Sequence, residues 1–286
     1  MPTSVAIVAP GNMGAGIGRR FVDNGARVTT SLVGRSAASA RRAETAGMQA
    51  VEDAALVRSD LLLSIVPPGE AVAFAERMAP HLATATARPA FVDCNAVSPD
   101  TAARIAAIVA PTGAAFIDGG IIGAPPQAGG KGPVIYVSGE SAARALALRG
   151  HGLDVRVVEG GIGAASALKM SYAGITKGLT ALGAAMMLGA TRAGVAEALY
   201  AELAASQPAL LPWFTRQIPG MYQKAYRWVA EMEEIAAFLR DDPAAAEMFR
   251  GAARLYERLA GDGSGATDET VSLSHFIDQS QIKKAS

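Results

Sequence analysis

Glycines are the first residues in the chain whose spacing can do chemistry. A short apolar run, Val5 to Ala9, passes directly into Pro10-Gly11-Asn12-Met13-Gly14, so Ala-x-Gly-x-x-Gly falls at a strand-to-helix junction. Glycine at 11 lets the backbone approach a pyrophosphate, glycine at 14 lets the helix pack closely on the strand, and the amides of the helix start favour an anion. The first glycine of the usual dinucleotide fingerprint is replaced by Ala9. The alternative is a strand-to-helix turn with incidental glycines. Gly11, Asn12, Met13 and Gly14 are therefore the candidate phosphate cradle.

The next strand, near Arg27 to Val33, should end at the adenosine ribose, where an NAD site carries Asp or Glu for the 2′-hydroxyl. From Asn24 through Ala43 there is no acid. Arg35 and Ser36 follow the strand instead, and a guanidinium binds a 2′-phosphate in a charge-assisted pair. The expected cofactor is NADP in preference to NAD, with Arg35 and Ser36 as its 2′-phosphate contacts. Arg41 and Arg42, on the following helix, read as a solvated basic face. Farther on, Tyr226-Arg227-Trp228-Val229-Ala230-Glu231-Met232-Glu233-Glu234 is the densest mix of aromatic and charged residues. Its ordinary reading is an amphipathic helix with Trp228 and Met232 inward and its charges in water. As a site, Arg227 would pair with a substrate carboxylate, and Glu231 would orient Arg227 or Lys169.

These residues need elements to hold them. In the first half, short runs rich in Val and Ile (VAIVA, RVTTSLV, LLLSIV, PAFVD, AAFID, VIYVS, DVRVV) alternate with Ala- and Arg-rich segments long enough for crossover helices. Buried parallel strands read as such continuous apolar runs. After Gly163 the strand-like runs stop and Ala, Leu, Met and Glu dominate. The expected architecture is α/β: an N-terminal Rossmann-like doubly wound sheet over residues 1–162 and an all-α C-terminal domain over 163–286. A long interdomain helix from about Ala164 to near Ala190 joins them. Gly194, Pro208, Pro212, Pro219 and Pro243 divide the remainder into about four shorter helices, with a polar tail after Gly261.

Composition narrows the function classes. Hydrophobic residues make up 50% and charged residues 18% of the 286, with a formal net charge of +0. That balance argues against disorder and against nucleic acid as a partner. One cysteine and three histidines offer neither a disulfide nor a metal-ligand cluster, so no metal is expected. The most lipid-like stretch, Gly178 to Thr191, is shorter than the ~20 apolar residues that span a bilayer. The reading is a soluble cytoplasmic protein with no membrane partner.

With these motifs in view, the chain resembles the β-hydroxyacid dehydrogenase superfamily, which includes 3-hydroxyisobutyrate dehydrogenase and 6-phosphogluconate dehydrogenase. It is most similar to a branch of phosphogluconate-dehydrogenase-like oxidoreductases with a distinct C-terminal helical domain. Ala9, Gly11, Met13 and Gly14 fall on the opening G-x-G-x-M-G signature. Val66-Pro67 and Asp93-Cys94-Asn95-Ala96-Val97-Ser98-Pro99 occupy two loops that touch the ribose and nicotinamide in relatives, which nominates Val66, Pro67 and Asn95 for cofactor binding. The substrate loop, D-x-P-V-S-G-G in the family, corresponds to Asp118-Gly119-Gly120-Ile121-Ile122-Gly123-Ala124. Its serine has become Ile122, which leaves the amides near Ile122 and Gly123 for a substrate carboxylate. A plainer reading is that these glycines only let sheet and loop pack.

The family's catalytic lysine follows a glycine-rich approach on the long helix, and Gly161, Gly163 and Lys169 match that arrangement. Desolvation among Ala, Leu, Met and Gly would lower the Lys169 pKa from ~10.4 and make proton transfer feasible at neutral pH; the plainer reading of Lys169 is a snorkelling surface lysine. Lys177, two turns on, is read as a neighbouring positive charge facing the substrate, or alternatively as a surface lysine. The asparagine that follows the family's lysine by four residues is Ala173 here. The resemblance implies an NADP-dependent oxidoreductase acting on CH–OH, with hydride passing between the nicotinamide and the hydroxyl or carbonyl carbon of a small carboxylate-bearing substrate. Lys169 would be its general acid/base. Imine reductase and decarboxylating dehydrogenase are alternatives on the same fold, although imine-reductase relatives carry Asp or Tyr where Lys169 stands. A non-catalytic NADP-binding protein is the alternative of another class. Family practice and the Ala- and Gly-rich helix imply a homodimer.

Overall fold

The computed structural model describes residues 3–127, 129–261 and 267–282. It divides into two compact units, residues 1–170 and 171–286, whereas the change in composition places a division at 162/163. The first unit holds β1 (Ser4–Val8), α1 (Asn12–Asp23), β2 (Arg27–Thr30), α2 (Ala37–Thr45), β3 (Gln49–Ala50) and α3 (Asp53–Leu56). It continues with β4 (Leu61–Ser64), α4 (Ala71–Thr84), β5 (Ala90–Asp93), α5 (Pro99–Val109), β6 (Phe116–Ile122), β7 (Val134–Ser138) and β8 (Asp154–Val157). The strands form one sheet in the order β3-β2-β1-β4-β5-β6-β7-β8.

Every apolar run of the first half is a strand, and the reason is visible in β1. Val5 and Ile7 enter one core with Ile17 and Phe21 of α1, while Ala6 and Val8 enter the other with Phe74 and Met78 of α4 and Ile105 of α5. A strand covered on both faces needs apolar residues at every position. Two features depart from expectation. The two-residue β3 has no apolar run to announce it. β7 pairs antiparallel with β6, because the Gly- and Pro-rich segment 123–133 contains no crossover helix and the chain must return directly.

α6 (Ala164–Arg192) is a single helix of 29 residues that begins in the first unit and continues into the second. Among the described residues it is the one helix long and apolar enough to cross a membrane, and half of its most apolar window is buried inside the protein. The second unit adds α7 (Ala196–Ser206), α8 (Leu210–Met221), α9 (Ala225–Phe238), α10 (Pro243–Ala260) and α11 (Asp268–Ile282). Pro212 and Pro219 do not separate helices as expected; both lie within α8. Pro212 sits in the first turn, where a missing N–H costs nothing, and Pro219 lies two residues before the helix ends. The expected polar tail is also corrected, since its later part is α11. Thr267 and Thr270 cap that helix reciprocally, and Leu273, Phe276 and Ile277 are buried at helical spacing.

Candidate cofactor and active site

α1 starts at Asn12 with Gly11 as N-cap, no side-chain cap and no acid in its first turn. Its first amides are therefore left for an anion. A Cβ on Gly14 would lie 2.1 Å from the Ala9 carbonyl oxygen, so only glycine lets the helix begin this close to β1. At Gly11 the same test finds no heavy atom within 4 Å, which leaves the approach of a pyrophosphate open. Ala9 in place of the first glycine fits because, among the described residues, positive φ occurs only at glycines. The Ala9 N–H donates to the Ile65 carbonyl at 3.1 Å. Met13 packs on the core, and Asn12 is exposed. These features fit a dinucleotide.

Beyond β2, the Arg35 side chain is only 14% exposed, and its Nη1 lies 2.9 Å from Glu70 Oε2. Its Nε is buried and has no hydrogen-bond partner among the described residues. Ser36 is the N-cap of α2, accepting from the Ser39 N–H. Arg41 is exposed, but Arg42 is not the solvated residue expected. Its Nε donates to the Pro10 carbonyl at 3.1 Å and its Nη2 to Ser39 Oγ at 2.8 Å, so it ties α2 to the glycine turn.

The loops after β4 and β5 are joined by Asn95, which is 2% exposed. Its Oδ1 accepts from the Val66 N–H at 2.7 Å, and its Nδ2 donates to Ser64 Oγ and to the Asp93 carboxylate. Asn95 and Val66 thus lie beneath the loop surface, while Pro67 is exposed. Burial, reinforced by the neighbouring Asp118, pushes the Asp93 carboxyl up to about 8 against the pull of Asn95 and Ser64. Burial also pushes the Cys94 thiol well up.

Asp118 on β6 is fully buried and sets the start of α6. Its carboxylate accepts from the Gly163 N–H at 2.9 Å, the Ser166 N–H at 3.1 Å, Ser166 Oγ at 2.6 Å and Ser138 Oγ at 2.9 Å. A carboxylate at a helix N-terminus satisfies orphan amides and meets the positive end of the helix dipole. Gly163 enters the helix at φ +100°, a left-handed conformation that favours glycine. Lys169, less than one turn after Ser166, is half-buried. A Cβ on Gly120 would lie 3.0 Å from Lys169 Cβ, so the lysine stem rests on the bare backbone of β6. Ile122, two residues along the strand, shares that face, with the exposed Gly123 just beyond it. The glycine turn, Arg35, Val66, Asn95 and Ile122 all lie at or beyond the C-terminal ends of β1, β2, β4, β5 and β6. In a sheet whose order reverses between β1 and β4, that edge is where ligands bind.

In the second unit Lys177 and Glu231 form an ion pair in which each side chain is 15% exposed. The Trp228 ring centroid lies 5.1 Å from Lys177 Nζ, and Tyr256 donates to the Lys177 carbonyl. Burial pulls the Lys177 ammonium down despite Glu231, and Arg227 and Lys224 add to the effect. Glu231 therefore pairs with Lys177, where the sequence offers Arg227 or Lys169, and Lys177 is not a bare positive neighbour. On the same helix Met232 is buried and Trp228 half-buried as expected, and Arg227 is exposed.

Residues 4–149 match the NAD binding domain of 6-phosphogluconate dehydrogenase. The chain belongs to that family, within the β-hydroxyacid dehydrogenase superfamily. Residues 190–259 match a domain of unknown function, DUF1932, so this family member pairs a known cofactor domain with a helical region of unassigned role. A search of curated proteins gives no match. Among solved structures, the conserved protein MTH1747, described as structurally similar to 3-hydroxyacid dehydrogenases, is 26% identical, with a TM-score of 0.68 over 94% of this chain and 99% of that one. A Mycobacterium tuberculosis 3-hydroxyisobutyrate dehydrogenase, solved with L-serine, shares the fold at 20% identity and a TM-score of 0.71, covering 96% of this chain and 99% of its own. An Aspergillus terreus reductive aminase, solved with NADPH and ethyl-5-oxohexanoate, shares it at 23% identity and a TM-score of 0.55, covering 96% and 100%.

Sequence reasoning names Asp118 only as a member of the substrate loop, and it misses Ser166 and Glu70 altogether. Asp118 and Ser166 lie 48 positions apart, and neither stands in a motif that announces a helix cap.

Proposed function

We propose that the protein is an NADP-dependent oxidoreductase in which Lys169 is the general acid/base, acting on the hydroxyl or carbonyl carbon of a small carboxylate-bearing substrate. The observation that supports this most is the seating of Lys169. Its stem lies on Gly120, on a helix pinned by Asp118, along the sheet edge where the glycine turn opens. A bound nicotinamide supplies hydride transfer. The neutral Lys169 amine takes the hydroxyl proton during oxidation, and the ammonium returns it during reduction. The α1 amides hold the pyrophosphate, Arg35 and Ser36 the 2′-phosphate, and the amides near Ile122 and Gly123 the substrate carboxylate.

Phe249 covers the glycine face of α6 at Gly174 and Gly178. A different stripe carries exposed large apolar side chains: Tyr172, Ile175, Leu182 and Met186 are 50%, 71%, 59% and 59% exposed. That stripe supports a homodimer through α6. The single buried thiol, Cys94, suits a reducing, cytoplasmic compartment.

The test is Lys169→Ala, assayed with NADPH against hydroxy acids and carbonyl compounds. Turnover should fall by about 10²- to 10⁴-fold while NADPH binding, followed by fluorescence, persists. Undiminished turnover would remove the lysine from the chemistry.

A further inference from the structure

We propose that Glu70 is a cofactor-specificity residue, whose carboxylate competes with the 2′-phosphate of NADP for the Arg35 guanidinium and yields to it. This rests on the NADP reading above. Arg35 lies in the loop after β2, and Glu70 closes the short 3₁₀ turn Pro68–Glu70 after β4. In the sheet order these two strands flank β1 on either side. Their ion pair of 2.9 Å therefore joins the two loops that border the glycine turn, on the edge where a doubly wound sheet takes its nucleotide.

The chemistry of the pair is incomplete. A guanidinium presents five N–H donors in a fixed fork. Glu70 engages Arg35 through Nη1, while the buried Nε has no hydrogen-bond partner among the described residues. A phosphate monoester brings three acceptor oxygens and a larger charge, so it outcompetes a single carboxylate for the guanidinium's terminal N–H groups. The two partners also differ in freedom. The Arg35 side chain is 14% exposed and stays in place, whereas the Glu70 side chain is 49% exposed and can turn into water. Beside them Ser36 caps α2 through the Ser39 amide, so the positive start of that helix adds to the attraction for phosphate. NAD carries a 2′-hydroxyl, which has no charge with which to displace Glu70. Glu70 thus narrows the preference for NADP that Arg35 creates.

Fluorescence titrations of the full chain with NADPH and NADH test this in wild type, Glu70→Gln, Arg35→Ala and the double variant. Glu70→Gln should tighten NADPH about two- to five-fold, the range of a half-exposed ion pair, and leave NADH unchanged. Arg35→Ala should weaken NADPH about ten-fold, and in that background Glu70→Gln should have no effect. Weaker or unchanged NADPH binding in Glu70→Gln would overturn the competition, because Glu70 would then position Arg35 or do nothing to it. Equal tightening of both cofactors would overturn it too, pointing to general repulsion of the pyrophosphate. Failure of the NADP reading is read separately, from wild type alone, as NADH binding at least as tightly as NADPH.

Discussion

In the first unit the buried carboxylate of Asp118 is met by four donors of the chain itself, two backbone amides and two contacts from serine hydroxyls. In the second, the buried carboxylate of Glu231 is met by an ammonium, Lys177. Both arrangements compensate a charge removed from water, but amides and hydroxyls do not titrate near neutral pH, and they are placed by the backbone. The first arrangement suits an anchor that must not move, at the start of the helix carrying Lys169. In the second, two side chains depend on each other, and burial still pulls Lys177 down. Asp93 shows the cost of a partial solution, in which Asn95 donates to only one of its carboxylate oxygens. It lies opposite Asp118 in the sheet register, one of its carboxylate oxygens is buried without a partner among the described residues, and its carboxyl is pushed up to about 8.

The sharpest way to break this comparison is Asp118→Ala, which strands all four donors. Denaturant unfolding should show a loss of about 3–5 kcal/mol; a loss below 1 kcal/mol would mean that the anchor is dispensable. Glu231→Gln should follow with about 2–4 kcal/mol at pH 7, because it leaves a buried ammonium unpaired. With the folded-state Lys177 pKa driven further below ~10.4, the unfolded chain binds the extra proton. Stability of this variant should therefore recover as pH rises toward that value. A deficit independent of pH would show that Glu231 acts by shape alone.

Asp93→Asn addresses the uncompensated charge. The folded carboxyl, at about 8, binds a proton that the unfolded chain gives up near ~3.9, so wild-type stability should fall as pH rises between these values. Asparagine removes that slope. The variant should match wild type near pH 4 and exceed it by about 5 kcal/mol at pH 8, with an unchanged difference across that range counting against the assignment. The smallest effect is expected from replacing the whole ion pair, Lys177→Met with Glu231→Leu. A buried pair exchanged for apolar residues is commonly neutral or stabilising. A large loss would show that the pair holds its unit together as Asp118 holds the first.

Much of the architecture was legible because its signals are local. Each apolar run reports burial on both faces of one strand, and the turn from Val5 to Gly14 keeps its whole logic within ten consecutive residues. The misreadings share a cause. Pro212 and Pro219 read as helix breaks because proline is unfavourable in a helix interior, yet position within the turn decides its cost. Arg42 read as solvated because nothing near it in sequence names the Pro10 carbonyl as its acceptor. Glu231 stands out in the sequence for its aromatic and charged neighbours, but its partner is 54 positions away.

The order of residues alone determined that this is a doubly wound nucleotide-binding sheet followed by helices. Strand, helix and glycine-turn preferences depend on side chains a few positions apart. Tertiary structure decided which charges meet: Asp118 with the start of α6, Arg35 with Glu70, Lys177 with Glu231. A chain can bring any acid near any base, and only strand order, register and helix packing select the pairs that close.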